Sequence, residues 1–315
     1  EIFEYGIAYM SVCVFMQIPN MVHIVIQKIL QATGNMIAPM WFQIAGVVFN
    51  FVFDPLLIFG IGPFPKMGVV GAAVATVLGY VVSTIIALIQ LFLTKQKVKP
   101  VFKNCLEPQM IKLIFSYGLP SFVMNALGAF TVNFANMFLV RYSDTAVAFF
   151  GAYFKVQQLI FMTVNGLIQG CLPIMRFNYR AKEYGRLKQA NKSGTIIATV
   201  MMIVGMLLVL IFPKEILFLF SASEEMCAFG VPAMRIMSIG FVFSGFSAMI
   251  ATYEQATDSI MPGVVVQLLR QGVLLVPVIW LLNSAVQMTG IWLAFPITEF
   301  VTFLVAVVFA KIKNH

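Results

Sequence analysis

Charge is scarce in this 315-residue chain. Asp, Glu, Lys and Arg together make up 10% of it, against 61% apolar residues. A water-soluble domain carries about a quarter charged residues and about half apolar ones. Two soluble domains, the expectation from length alone, cannot be given a water-facing surface with so few charges. Cysteine and histidine are also rare. Cys13, Cys105, Cys171 and Cys227 form no CxxC and no paired spacing, which argues against a disulfide framework. His23 and His315 are the two histidines and cannot build a metal cluster. HExxH, GxSxG and paired intramembrane aspartates are missing, so no membrane-embedded enzyme chemistry is readable and no cofactor is expected. The net charge of +8 is no nucleic-acid footprint, because the basic residues fall mostly in two loops and at the C-terminus.

What is present is apolar sequence in long runs. Runs able to cross about 30 Å of hydrocarbon recur along the whole chain. The expected class is an all-α polytopic membrane protein. Its nine transmembrane helices fall at roughly 5–32, 37–60, 67–93, 111–140, 147–174, 193–213, 226–254, 262–282 and 289–310. Thirteen basic residues, among them Lys95, Lys97, Arg176, Arg186 and Lys311, fall on one side of the alternating loops. Three, Lys66, Arg141 and Lys214, fall on the other side, with most of the loop acids. The positive side is cytoplasmic. The C-terminus is then inside and Glu1 outside.

Gln-Ala-Thr occurs at 31–33 and again at 255–257, each copy between two apolar helices and each followed by a proline, Pro39 and Pro262. Met67-Gly68 has a counterpart at Thr289-Gly290 with nearly the same offset. Duplicated helical halves packed about a pseudo-two-fold are a transporter plan. Extending the repeat backwards from a second half that starts near 111 implies roughly 110 preceding residues, enough for three helices. The expected whole is twelve helices, six plus six. Residues 1–93 are the last three helices of the first lobe, 94–110 a cytoplasmic connection, and 111–315 the second lobe.

Polar groups at membrane depth are retained only when partnered or useful, since a charge there costs about 2.5–3.5 kcal/mol on insertion scales. Asp54 is the foremost candidate. Asn50, four residues earlier, projects from the same helix face. Pro55 loosens the backbone and can free a carbonyl. Oxygen ligands of this kind suit a hard cation, and a carboxyl in oil also suits a proton. Interhelical polar glue, or a cap near the helix end, fits the same pair. Glu299 and Arg270 lie well inside adjacent antiparallel helices and are expected to approach and partly neutralise each other, as a structural pair or as a gating or proton element. Lys155 and Arg235 snorkel outward or line a cavity. Lys28 and Glu254 belong near the inner interface. Met124, Phe154, Phe161, Met234, Met237 and Phe241 either line a plastic cavity for flat cations or pack as ordinary apolar surface. Pro19, between Gln17 and Asn20, marks a bending point or a static kink.

Several segments together resemble the multidrug and toxic compound extrusion (MATE) family, bacterial type. They are Gln31-Ala32-Thr33-Gly34 with Pro39, residues 50–60 reading NFVFDPLLIFG, and residues 68–76 reading GVVGAAVAT. Gly118-Leu119-Pro120, Gly166-Leu167-Ile168-Gln169-Gly170 with Pro173, Asn178-Tyr179, and QLLRQ at 267–271 with Pro277 extend the likeness over essentially the whole chain. One departure is Arg180, where family members usually carry glycine. The resemblance implies the two-lobe fold from the family's fourth helix to its twelfth. It implies export of small amphipathic, mostly cationic compounds by alternating access, driven by protons or sodium ions, in the cell membrane. It adds Thr76 to Asn50 and Asp54 as the first-lobe cation site, with a further acid from a helix that precedes this sequence. No metal beyond sodium at Asp54 is expected. The family's seventh-helix acid has no counterpart in residues 121–128, so a second-lobe cation site of that kind is not expected. Asn125 there is a substrate contact or an interhelical hydrogen bonder. The bilayer and the small cations are the expected partners, nucleic acid is not, and a monomer is expected. A flippase for lipid-linked oligosaccharide or polysaccharide, sharing the helical plan, is the alternative function, as is an inactive fragment.

Overall fold

A computed structural model describes residues 2–15, 17–93, 107–257 and 260–313. Every regular element among the described residues is helical. Six stretches are long and apolar enough to cross a membrane: Ile37–Phe59, Gly68–Leu93, Asp144–Arg180, Tyr184–Ile211, Glu224–Ala256 and Leu275–Phe309. The chain divides into two compact units, Glu1–Cys105 and Leu106–His315. The expected connection at 94–110 lies almost wholly outside the described residues.

The first unit holds α1 (Ile2–Phe15), α2 (Gln17–Ala32), α3 (Ile37–Phe59) and α4 (Gly68–Leu93). The helix expected over 5–32 is described on both sides of residue 16, as α1 and α2. Pro19, inside α2, has no N–H to donate to the carbonyl four residues back, that of Phe15. The Pro19 carbonyl accepts a 2.6 Å hydrogen bond from Thr84 Oγ1 on α4. Helix α2 ends where Thr33 Oγ1 donates to the Leu30 carbonyl at 2.8 Å, and Gly34 follows at a φ of 89°. Asn35 Oδ1 then accepts from the Ala38 N–H and opens α3. A cluster of Ile26, Leu30, Ala38, Phe42, Ala87 and Leu91 forms the buried core of this unit.

Helices α3 and α4 are held at close range by small residues. A Cβ built on Gly79 would lie 2.8 Å from the Gly46 carbonyl oxygen, and one on Gly46 would run into Ser83 Oγ. Gly71, Ala75, Gly79 and Ser83 recur every fourth residue, the spacing that lets membrane helices approach backbone to backbone.

The second unit holds α5 (Pro108–Leu139), α6 (Asp144–Arg180), α7 (Tyr184–Ile211), the short α8 (Pro213–Phe218), α9 (Glu224–Ser238), α10 (Gly240–Ala256), α11 (Ile260–Leu268), a π-helical turn Leu269–Val273 and α12 (Leu275–Lys313). Ser143 caps α6 and Ser223 caps α9, each hydroxyl accepting the N–H three residues on. The stretch 175–192, expected as a loop, is helical apart from the turn around Lys182, whose φ is 60°. Hydropathy marks where hydrocarbon ends. Backbone hydrogen bonding continues into water, and the 37 residues of α6 rise about 55 Å, well beyond the bilayer core. The single helix expected over 226–254 is found as α9 and α10, which join through Ile239 with helical backbone angles (φ −57°, ψ −32°) into one span, and Gly240 passes close to Pro296 and Glu299 of α12. The break expected near 283–288 is a two-residue kink at Val286 and Gln287 within α12. At the second repeat copy Thr257 Oγ1 reaches the Tyr253 and Glu254 carbonyls, the same closure of a helix end that Thr33 makes. Phe149, Phe150, Tyr153, Phe241, Trp292 and Phe295 anchor the core of this unit.

Candidate functional site

Residues 50, 54 and 76 meet inside the first unit. Asn50 Nδ2 donates to Asp54 Oδ1 at 3.3 Å and to Thr76 Oγ1 at 3.4 Å. Thr76 Oγ1 in turn donates to the Ala72 carbonyl at 2.9 Å. Asn50 and Asp54 stand one turn apart on α3, and Thr76 faces them from α4. All three side chains are half-buried. The close α3–α4 approach sets this geometry: a Cβ on Gly79 would lie 3.2 Å from Asn50 Cβ. Both amide bonds are long against the usual 2.9–3.0 Å, so the amide straddles its partners. A half-turn of the Asn50 amide would aim Oδ1 at the same space. Pro55, inside α3, withdraws the N–H that the Phe51 carbonyl would otherwise accept. The arrangement therefore gathers a carboxylate, an amide, a hydroxyl and a released backbone carbonyl within one helix pair.

Two groups beside this site were not foreseen. Tyr9 of α1 interacts with Thr76, with Cys13 one turn along α1 and with Tyr80 one turn along α4. The spacing of Tyr9 and Cys13 puts them on one helix face. That spacing was the available signal, but with both near the start of the sequence nothing tied them to a partner.

In the second unit Arg270 Nε donates to Glu299 Oε1 at 2.7 Å, and both side chains keep little exposure, 16% and 13%. The guanidinium carbon also lies 4.8 Å from the centre of the Phe161 ring. Arg270 sits in the π-helical turn and Glu299 midway along α12. Glu299 Oε2 and the Tyr153 hydroxyl are buried without a hydrogen-bond partner. Tyr153 is fully buried, and its hydroxyl feels the Glu299 charge.

Of the residues expected around a plastic cavity, Met234, Met237 and Phe241 are buried in the core of the second unit, while Phe154 and Phe161 are half-buried and packed against it. Met124 and Asn125 are in α5, and their side chains lie outside the described residues. Lys155 is exposed and lines a cavity of about 560 Å³ with Asp144, Thr145, Ser221 and Ser223. Arg235 is exposed near the end of α9. Lys28 is exposed, whereas Glu254, expected at the interface, is buried in the packed end of α10.

The sequence and fold place the chain among known proteins. Multidrug export protein MepA of Staphylococcus aureus (strain bovine RF122 / ET3-1) is 26% identical over 277 residues, which cover 87% of this chain and 60% of the relative. Multidrug export protein MepA of Staphylococcus saprophyticus is 26% identical over 304 residues, 95% of this chain and 65% of the relative. This chain thus spans about three-fifths of the length of the curated relatives it matches. Among solved structures, an outward-facing multidrug resistance MATE family transporter of the MOP superfamily superposes with a TM-score of 0.87 at 21% identity, covering 98% of this chain and 69% of that one. The helical fold is shared. The sequence model of the MatE family matches residues 120–281, just over half of the chain. On that match, supported by the shared fold, the chain belongs to the MatE family.

Proposed function

We propose that this chain is part of a cation-coupled antiporter that exports amphipathic, mostly cationic compounds across the cell membrane by alternating access, with Asp54, Asn50 and Thr76 as its coupling site. The observation that carries the reading is the single amide of Asn50 bonded to both Asp54 and Thr76 at membrane depth. Three side-chain oxygens and the Phe51 carbonyl supply part of a shell for sodium. The same carboxylate, alone, can carry a proton. Either ion neutralises Asp54 and makes its passage between the two faces of the membrane cheaper. The names of the relatives, multidrug export proteins, support the cargo class.

Residues 1–93 are assigned to the first lobe, 111–315 to the second, and the basic loops with the C-terminus to the cytoplasm. The test is efflux of a fluorescent cation from vesicles containing the full-length protein, with proton and sodium gradients imposed separately. Asp54→Asn is expected to abolish gradient-driven efflux while the protein stays in the membrane. Undiminished efflux by a correctly inserted Asp54→Asn variant would defeat the proposal.

A further inference from the structure

We propose that Glu299 and Phe161 form a binding site for a planar organic cation, and that Arg270 occupies this site as a built-in stand-in. The guanidinium is itself a flat, delocalised cation. It meets the two elements that recognise such a group: a carboxylate oxygen at 2.7 Å and an aromatic face at 4.8 Å. Phe161 is fixed from behind by Phe241, which meets it edge to face at 5.6 Å. The ring presented to Arg270 is therefore part of a rigid wall.

Arg270 fills this site incompletely. Glu299 Oε2 is buried and left without a donor. Buried polar atoms are seldom left open, and this one marks a place that the present occupant does not reach. A flat cation with a ring or amino N–H directed at Glu299 Oε2 would reach it.

The stand-in is also able to withdraw. Arg270 belongs to the π-helical turn Leu269–Val273, which contains Gly272, a residue with non-helical backbone angles. Such single-turn π segments recur at functional sites. Glu299 is carried by a different element, α12. The site has one carboxylate and one resident cation. An arriving cation that takes Glu299 displaces Arg270, and the return of Arg270 expels it. The displaced guanidinium then lacks a counter-ion at membrane depth, which favours its return.

The cargo class rests on the export reading above, but the test does not. Ethidium binding to the full-length protein is measured at equilibrium in detergent, without gradients, with monodispersity on size exclusion as the check of folding. If Arg270 occupies the site nine-tenths of the time or more, its removal raises apparent affinity about tenfold or more. Arg270→Met is expected to bind ethidium at least about tenfold more tightly than the parent, and Arg270→Met with Glu299→Gln to lose that gain. Arg270→Lys keeps the charge but loses the planar fork, so it competes less well and is expected to bind about threefold more tightly. This second variant keeps the test decisive where the methionine variant does not fold. A folded Arg270→Met or Arg270→Lys protein that binds ethidium no more tightly than the parent overturns the proposal. So does a gain that survives Glu299→Gln. Loss of efflux in Asp54→Asn without these binding changes leaves ion coupling standing and removes only this site.

Discussion

Adding one methyl group at Gly79 tests how the coupling residues are held together. The new Cβ would stand 2.8 Å from the Gly46 carbonyl oxygen and 3.2 Å from Asn50 Cβ. Real Cβ atoms essentially never come closer than 3.0 Å to such neighbours, and the first contact is backbone, so α3 and α4 must part by several tenths of an ångström. Overpacking of this kind costs about 1–3 kcal/mol. The same displacement lengthens the bond from Asn50 Nδ2 to Thr76 Oγ1, already 3.4 Å, beyond hydrogen-bonding range. Losing that bond is worth about 1 kcal/mol, about fivefold in affinity for an ion bound among these oxygens. Gly79→Ala should therefore lower the thermal midpoint by a few degrees. It should weaken ion binding, read as the sodium or proton concentration needed for half-maximal efflux, by about fivefold. Gly166→Ala is the matched control, because its Cβ would meet nothing within 4 Å on an exposed helix face. It should leave efflux unchanged and stabilise slightly, by about 0.5–1 kcal/mol. A Gly79→Ala protein with the parent's midpoint and ion dependence would refute the claim that close α3–α4 packing sets the site.

Three further outcomes follow from other contacts. Arg270→Gln alone leaves a carboxylate uncompensated and should destabilise the second unit by roughly 3 kcal/mol, while Arg270→Gln with Glu299→Gln should recover most of that loss in the same unfolding assay. Pro19→Ala restores the missing donor to the Phe15 carbonyl and should slow amide exchange in the first turn of α2, at residues 17–20. Ser223→Ala removes the hydroxyl that accepts the Met226 N–H and should cost about 1 kcal/mol, seen as faster exchange in the first turn of α9.

Much of the plan was legible because it depends on local signals. Apolar runs marked the stretches in which the six long apolar helices of the described residues are found, and the four-residue spacing of Asn50 and Asp54 put both groups on one face. The Arg270–Glu299 contact could be expected from depth alone, since two opposite charges on adjacent helices gain by meeting in oil. The features that escaped depend on contacts between distant segments or on geometry outside the hydrocarbon. The close approach of Gly240 to Pro296 and Glu299 of α12 is such a contact, and no pattern near residue 240 announces it. Continuation of α6 to Arg180 escaped because charged residues end a hydropathy run without ending a helix. The π-helical turn is a change of register by one residue, invisible to a periodicity read over a whole helix. Tyr9 was missed because its part in the site depends on α1 packing beside Thr76. The cavity-lining reading of Met234, Met237 and Phe241 turned on burial: thioether and aromatic side chains suit a cavity wall and a core alike, and these three are in the core.

The most direct test of ion coupling at Asp54 is to follow both species at once. Vesicles containing the full-length protein are loaded with a pH dye or bathed in labelled sodium, a cationic drug is added, and ion movement per drug molecule is recorded for the parent and for Asp54→Asn. Drug-triggered ion movement in the parent and none in the variant is the predicted result. The same ion movement per drug molecule in Asp54→Asn would contradict it.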